Sequence, residues 1–368
     1  MDGARARGEK ILDLTLSNPT RAGFAHDASI LRALSKAESL DYDPQPKGLL
    51  RAREAVATYY RDDHDASVDP ERIILTASTS EAYSYIFRLL CNPGDEVLVP
   101  KPSYPLFDFL AGLQDVKLVS YPLLYDHGWQ IDFPSLERAL TPRTRGIVLV
   151  HPNNPTGSFV QVAERATLNQ ICSQHGLALI VDEVFLDFAH GSKGQASFAA
   201  NSGALTFTMS GLSKISSLPQ MKLAWMAVSG PGTQPGAAID RLEVIADTYL
   251  SVSAPVQWAA EEMLAARMPL RARLLERVQR NLLGLDRQLT GRPSCERLRV
   301  DGGWYAVLRV PATRSDDDLA VELVQKKQVL VHPGHFYDFS GDGYLVLSLI
   351  GPEGEFGEGV RRVMEIVD

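Results

Sequence analysis

Short, almost wholly apolar runs recur along the first two thirds of the chain, each followed by turn residues and a longer stretch with helical spacing. Such runs lack the alternation of a strand with one wet face and are typical of strands buried on both faces. Strands are predicted at 73–76, 96–99, 146–150, 178–181, 205–209 and 223–228. The clearest helices between them are 80–90 and 162–175, the second ended by Gly176. The alternation predicts an α/β fold with a mostly parallel sheet between helices.

After about residue 235 the pattern changes. A long helical stretch over 254–289 is rich in Arg, Leu and Ala, and Pro269 predicts a break in it. Strand-like pieces at 304–310 and 344–349 flank a helix predicted at 316–327. We therefore expect a large domain over 41–245 and a smaller α+β domain made of 246–368 together with the N-terminal segment 1–40. The alternative for the N-terminal segment is a position over the cleft.

Composition limits the class of protein. The chain has 368 residues, 45% of them hydrophobic, which predicts a globular protein of roughly two domains. Its 37 basic and 45 acidic residues give a net charge of −8, which argues against nucleic-acid or anionic-membrane binding. The three cysteines, Cys91, Cys172 and Cys295, lie far apart and predict neither a disulfide framework nor a metal site. With no secretory signal and no long apolar span, a cytoplasmic enzyme is expected.

Ligands of open α/β sheets bind beyond the carboxyl ends of the strands, so the residues after each predicted strand are informative. Ser78, Thr79 and Ser80 follow the first strand and begin a helix, a position that suits a phosphate, although a plain helix cap is the simpler interpretation. Tyr104 follows the second strand in a loop held by three prolines and could present a fixed aromatic face, unless the loop is only a surface turn.

The later strands end in groups with more specific chemistry. Asn154 follows the third strand within Asn-Asn-Pro-Thr-Gly. Asp182 ends the fourth, where a carboxylate needs a cationic partner, either a ligand nitrogen or an arginine. Lys214 follows the fifth among Ser210 and Ser213, where desolvation would make its amine nucleophilic toward aldehydes. A phosphate cradle, an aromatic face, an amide, a carboxylate and a lysine together match the needs of pyridoxal 5'-phosphate.

With these motifs in this order, the chain resembles the class I/II aminotransferases of pyridoxal-phosphate fold type I, from about Leu12 to the C-terminus. The resemblance implies that Lys214 forms a Schiff base with the cofactor and carries the substrate proton. It implies that Asp182 pairs with the ring nitrogen, that Asn154 hydrogen-bonds the phenolic oxygen and that Tyr104 stacks on the ring.

The resemblance also implies a phosphate site and a partner subunit. The phosphate would be held by hydroxyl side chains, those of Ser78, Thr79, Ser80 and Ser213 or Ser210. The segment 42–49 resembles the one whose tyrosine, here Tyr42, reaches the phosphate of the neighbouring subunit. A homodimer with shared active sites is therefore expected.

Three positions depart from the family pattern. Phe185 stands where a tyrosine usually donates to the phenolic oxygen, and Lys222 replaces a phosphate-binding arginine. Val346 replaces the arginine that clamps the substrate α-carboxylate, and an apolar side chain cannot bind a carboxylate. Arg21, in the N-terminal segment, is the first candidate to replace that arginine, with a surface salt bridge as the alternative, and His335 is a second candidate.

The predicted function is transfer of an amino group between an amino acid and a 2-keto acid. The alternative is a pyridoxal-phosphate-dependent lyase, decarboxylase or racemase of the same fold, because Phe185 and Val346 change how a substrate would be oriented. A non-enzymatic relative that keeps the fold as a binding module is a third reading. No Gly-x-Gly-x-x-Gly follows the first strand and no Walker loop occurs, so dinucleotide or ATP chemistry is not indicated.

Overall fold

The computed structural model describes residues 10–191 and 196–367. Its strands, in chain order, are β1 (Leu12–Asp13), β2 (Ile73–Thr76), β3 (Glu96–Lys101), β4 (Lys117–Tyr125), β5 (Trp129–Ile131), β6 (Thr144–Val150), β7 (Ala178–Asp182), β8 (Thr206–Gly211), β9 (Ala224–Ser229), β10 (Glu296–Arg297), β11 (Tyr305–Arg309), β12 (Val329–Leu330), β13 (His332–Pro333) and β14 (Tyr344–Ser348). The α-helices are α1 (Leu50–His64), α2 (Thr79–Leu90), α3 (Phe107–Gly112), α4 (Phe133–Arg138), α5 (Val162–His175), α6 (Leu212–Ile215), α7 (Gln234–Asp247), α8 (Ala254–Trp258), α9 (Ala260–Ala265), α10 (Arg267–Leu289), α11 (Asp316–Glu322) and α12 (Glu353–Val367).

The main sheet has the strand order β2-β9-β8-β7-β6-β3-β4-β5. Its five central strands, β8 to β4 in this order, are parallel. Strand β9 is antiparallel to both β8 and β2, so β2 runs in the same direction as the central strands. The carboxyl ends of β2, β3, β6, β7 and β8 therefore meet the start of β9 at one edge of the sheet.

All six strands predicted for the main sheet are confirmed, each to within two residues of its bounds, and so are helices α2 and α5. The strand-like pieces predicted at 304–310 and 344–349 are β11 and β14. The sequence pattern did not reveal β4 and β5. Strand β4 is only half-buried along most of its length and contains Pro122, so it lacks the continuous apolar run that identified the others.

The main sheet is buried on both faces, as its apolar runs predicted. Ile180 and Phe207 point to the side covered by α2 and α7, while Leu179 and Val181 point to the side covered by α5. All four side chains are fully buried. Alternate residues of each strand thus anchor two helical layers, and this packing fixes the strand ends relative to one another.

A smaller antiparallel sheet, in the order β10-β11-β14-β13, packs against α10 and α12. Strand β1 pairs in parallel with β12, which brings residues 12–14 to this sheet. The next part of the N-terminal segment packs against a different hydrophobic core. Its short 3₁₀ turns at Ala28–Leu34 and Ala37–Leu40 contact α8 and α9, which pack with α1 beside the main sheet. The division of the chain at residues 41 and 246 stays a prediction.

The predicted break at Pro269 is wrong. Pro269 is the third residue of α10, where a proline is tolerated because the first-turn N–H groups have no helical partner. The long stretch is interrupted instead at Ala259 and Ala266. The helix predicted at 316–327 begins as α11 and continues as a wider π turn over Leu323–Lys327. Within the described ranges, no helix is both long and apolar enough to cross a membrane.

Candidate active site

A cavity of about 400 Å³ opens at the edge where the strand ends meet. Ten of the residues singled out from the sequence line it: Ser78, Thr79, Ser80, Tyr104, Asn154, Asp182, Phe185, Ser213, Lys214 and Lys222. They come from the loops after β2, β3, β6, β7 and β8 and from the turn before β9.

The strand register explains this convergence. Ala224, at the start of β9, pairs with Thr76 at the end of β2 and with Gly211 at the end of β8. On the other side of β8, Asp182 pairs with Met209 and with Val150. The paired residues at these strand ends are as far as 148 positions apart in sequence, as Thr76 and Ala224 are, but are forced to be neighbours in space.

Lys214 lies in the single turn of α6, directly beyond β8. Its Nζ is 5.4 Å from the centroid of the Trp304 ring and 5.7 Å from that of Phe185. Burial lowers the pKa of Lys214, and the negative charge of Asp182 opposes this effect. A lysine with a lowered pKa has more of the unprotonated amine that reacts with carbonyl carbons.

Asp182 ends β7 and carries a strongly perturbed carboxyl group. Its Oδ1 accepts a hydrogen bond from the Val184 N–H at 3.1 Å, and its Oδ2 accepts one from the Tyr83 hydroxyl at 3.3 Å. Burial raises the pKa of Asp182 to about 6, although these hydrogen bonds and the charge of Lys214 act in the opposite direction. A cationic ligand group beside this carboxylate would restore its ionisation.

The N-terminus of α2 forms one end of the cavity. Ser78 caps the helix, its Oγ accepting from the Glu81 N–H at 3.2 Å, while Glu81 Oε2 accepts from the Ala77 N–H at 2.7 Å. The helix-cap interpretation of Ser78 is therefore confirmed. The hydroxyl groups of the first turn line the cavity at the positive end of the helix dipole, and Lys222 adds a positive charge.

The loop after β6 is held internally. The Asn153 Nδ2 donates to the Pro102 carbonyl and to Thr156 Oγ1, both at 3.0 Å. The next residue, Asn154, is also buried, but its Oδ1 has no hydrogen-bond partner within the described chain. A buried amide with an unsatisfied oxygen at a cavity wall is a site where a polar ligand would be stabilised.

The structure does not bring every predicted site residue to the cavity. Ser210 is fully buried in β8, with its Oγ unpaired in the described chain, and does not line the cavity. Arg21 is exposed and also lies outside the lining, so its placement gives no support to a substrate contact within this chain. Tyr42 is 87% exposed and borders a different cavity, beside Tyr85.

Two further positions considered in the sequence also lie elsewhere. Val346 is fully buried in the core of the small sheet, so it contributes no polar group to the cavity. The exposed His335 lies outside the lining, with its Nδ1 3.3 Å from Asp317 Oδ1.

Several lining residues were missed by reasoning from the sequence: Ser17, Tyr83, Tyr305, His332, Phe336 and Tyr337. Tyr83 could have been found, because it lies four residues after Thr79 and therefore on the same face of α2. The others follow no strand of the main sheet. They reach the site through the packing of the small sheet, for which the sequence offers no local signal.

The comparisons with known proteins agree with one another. The family model for aminotransferase class I and II matches residues 14–356. Glutamate-pyruvate aminotransferase AlaA of Escherichia coli strain K12 is 32% identical over 259 residues, which cover 70% of this chain and 64% of that relative, so the match spans less than two thirds of the relative's length. Alanine aminotransferase of Mycobacterium tuberculosis is 27% identical over 373 residues, covering 97% of this chain and 86% of the relative.

Solved structures share the fold over the whole chain. An alanine aminotransferase from Pyrococcus furiosus superposes with a TM-score of 0.91 at 23% identity, covering all of this chain and 94% of its own. An aminotransferase from Escherichia coli superposes with a TM-score of 0.87 at 26% identity, covering all of this chain and 93% of its own. The predicted fold class, a mostly parallel sheet between helices with a smaller α+β domain, is confirmed.

Proposed function

Because the chain belongs to the class I and II aminotransferases, whose cofactor is pyridoxal 5'-phosphate, we propose that it transfers an amino group between an amino acid and a 2-keto acid with the cofactor held on Lys214. The observation that carries this proposal is the convergence of Lys214, Asp182 and Asn154 on one cavity. These three groups are an amine, a carboxylate and an amide, which a phosphorylated aromatic aldehyde with a basic ring nitrogen and a phenolic oxygen can engage together.

The cavity fits the cofactor at each of its polar positions. The first turn of α2 and Lys222 provide an anion site for the phosphate. The raised pKa of Asp182 indicates a carboxyl group that gains from a cationic partner, as the protonated ring nitrogen would be. The unpaired Oδ1 of Asn154 shows that this amide has unused hydrogen-bonding capacity at the cavity wall.

When bound, pyridoxal phosphate supplies an electron sink that stabilises negative charge at the substrate's α-carbon. The chain's own residues prepare the site for that chemistry. Lys214 would hold the cofactor through its amine, and its lowered pKa leaves more of the Nζ unprotonated at neutral pH, which is the form that can accept the substrate's α-proton. Asp182 keeps the ring nitrogen protonated, and Tyr83 orients Asp182 by donating to its Oδ2.

Transamination is favoured over the lyase, decarboxylase and racemase alternatives because relatives that match most of this chain are themselves named as aminotransferases. The names of two relatives also suggest the first substrates to test. Alanine and glutamate are the first donors, and pyruvate is the first acceptor.

The working enzyme is proposed to be a homodimer in which Tyr42 reaches the phosphate of the partner's cofactor. The Tyr42 side chain is 87% exposed, which leaves it free to contact a partner subunit. Sedimentation equilibrium should give a mass near twice 40.4 kDa. A monomer that transaminates would contradict the shared site. The unpaired Cys91, Cys172 and Cys295 are consistent with a reducing, cytoplasmic location, which is likewise proposed.

The proposed activity is tested by adding a panel of amino acids to the purified protein with bound cofactor and following its absorption spectrum. An aminotransferase converts the cofactor to its amino form with a productive donor, and pyruvate then reverses the change. Cofactor that binds but is converted by no donor would refute transamination. Lys326→Ala is the control for Lys214→Ala, because it also removes a positive charge but changes a lysine with a 65% exposed side chain away from the site.

A further inference from the structure

The lining of the cavity has two chemically different parts. The proposed phosphate end is the N-terminus of α2 with Lys222 beside it. A second part of the lining, which we call the distal wall, belongs to the N-terminal segment, the small sheet and the turn after β13. Its residues are Ser17, Tyr305, His332, Phe336 and Tyr337. A substrate that reacts at Lys214 must place its remaining groups against this wall.

The charges of the lining constrain how a substrate carboxylate can be held. Among the described residues that line the cavity, the ionic and basic side chains are Asp182, Lys214, Lys222 and His332, and no arginine is present. The proposed function engages the first three with the cofactor. A carboxylate that enters the cavity without a hydrogen-bonding partner would be strongly destabilised. His332 is the basic side chain of this lining that the cofactor does not use.

The strand register places His332 where a carboxylate-binding group is otherwise missing. His332 in β13 pairs directly with Val346 in β14. Side chains directly opposite in an antiparallel pair project from the same face of the sheet. Val346 is fully buried and apolar, so the polar group presented to the cavity from this pair is the imidazole of His332.

The imidazole is oriented by aromatic neighbours. Its ring stacks on Phe336, with 5.0 Å between centroids and 14° between planes, and meets the edge of Tyr337 at 5.7 Å and 89°. Burial lowers the pKa of His332, which the negative charge of Asp13 opposes. The lowered pKa favours the neutral ring, which has one N–H that can donate.

We propose that His332 binds the carboxylate of the substrate by hydrogen bonding, so that no salt bridge to an arginine of the same chain is formed. The aromatic side chains of the distal wall then contact an apolar or aromatic side chain of the substrate. This inference rests on the proposed function and deepens it by assigning a specificity-determining residue. It predicts a preference for amino acids with uncharged, apolar side chains.

The inference is tested by binding, which does not require turnover. Two unreactive probes, 3-phenylpropanoate and 3-phenylpropan-1-ol, share the aromatic body and differ in the carboxylate. Their dissociation constants with the cofactor-loaded protein are measured by calorimetry. His332→Leu should raise the dissociation constant of 3-phenylpropanoate by about tenfold or more, because a hydrogen bond to a charged group is lost. The dissociation constant of 3-phenylpropan-1-ol should change by about twofold or less.

His332→Gln should recover most of the lost affinity because its amide restores an N–H donor. His335→Gln is the matched control: His335 is exposed, lies outside the cavity, and its substitution should leave both constants unchanged. Carboxylate affinity that survives in His332→Leu would overturn the proposal, as would equal losses for both probes that glutamine does not rescue. Absence of binding by either probe would overturn the aromatic part. Failure of the proposed function is a separate result, the absence of cofactor conversion by any donor.

Discussion

Asp182 should destabilise the folded protein in the absence of its cofactor, and Asp182→Asn should therefore stabilise it. Burial raises the pKa of Asp182 from its ordinary 3.8 to about 6. At about 1.36 kcal/mol per pKa unit, this difference corresponds to about 3 kcal/mol once the carboxyl group is ionised in both the folded and unfolded states. Asparagine keeps an acceptor for the Val184 N–H but has no charge to bury.

The sign and the pH range follow from linkage. A carboxyl group with a raised pKa binds more protons when folded, so its unfavourable contribution appears as the pH rises from about 4 to 6 and is constant above that range. Asp182→Asn should raise the free energy of unfolding by about 1.5 kcal/mol at pH 5 and about 3 kcal/mol at pH 8. With cofactor bound the order should reverse, because the neutral amide cannot pair with a cationic ring nitrogen.

The measurement is urea unfolding followed by circular dichroism, at one protein concentration, with and without pyridoxal phosphate. Asp126→Asn provides the control, since the Asp126 side chain is 91% exposed and its substitution should change stability by less than about 0.5 kcal/mol at either pH. A cofactor-free Asp182→Asn protein that is no more stable than the wild type at pH 8, or a gain that is equal at pH 5 and pH 8, would refute the reasoning.

Three further substitutions probe other parts of the molecule. Lys214→Ala should abolish borohydride trapping of the cofactor on the chain, read by peptide mass spectrometry, and trapping on another lysine would contradict the assignment. Gly157→Ala should lower the free energy of unfolding in urea by more than about 2 kcal/mol, because φ is +66° and a β-carbon would collide with the 300–302 segment. Gly176→Ala is the control, since Gly176 has a similar φ of +64° but open space around it, and it should lose about 1 kcal/mol. Equal losses would show that the collision is unimportant. Asp187→Ala should lose more than about 2 kcal/mol in the same assay, since the buried Asp187 accepts a hydrogen bond from the Tyr59 hydroxyl at 2.7 Å and lies 3.5 Å from Arg271 and 3.8 Å from Arg267, which also pairs with Asp63; a loss below about 1 kcal/mol would show that these contacts contribute little.

The main sheet and the residues at its strand ends were predictable because both signals are local. Continuous apolar runs identify strands that are buried on both faces, and the parallel arrangement then places whatever follows each strand at one edge. Asn154, Asp182 and Lys214 were found in this way. Strand β4 was not, because its half-exposed side chains leave no such pattern.

Single residues near element ends were less predictable. Pro269 reads as a helix break in the sequence, yet it occupies the first turn of α10, where its missing N–H has no consequence. The sequence predicts Ser210 as a site residue because it lies at the end of β8, but the alternation of side chains along the strand places its hydroxyl on a buried face of the sheet. In both cases a shift of one or two positions decides the outcome, and hydrophobic spacing does not define positions that finely.

What the sequence by itself determined is the fold class, the cofactor and the part of the cavity lining that follows the main-sheet strands. What only the tertiary structure decided is the rest of that lining. Tyr305, His332 and Tyr337 line the cavity because the small sheet packs across the strand ends, and Trp304 comes within reach of Lys214 for the same reason. These contacts join segments about 90 or more residues away from Lys214 in the chain, and they are set by side-chain packing between two sheets, which no local pattern of residues encodes.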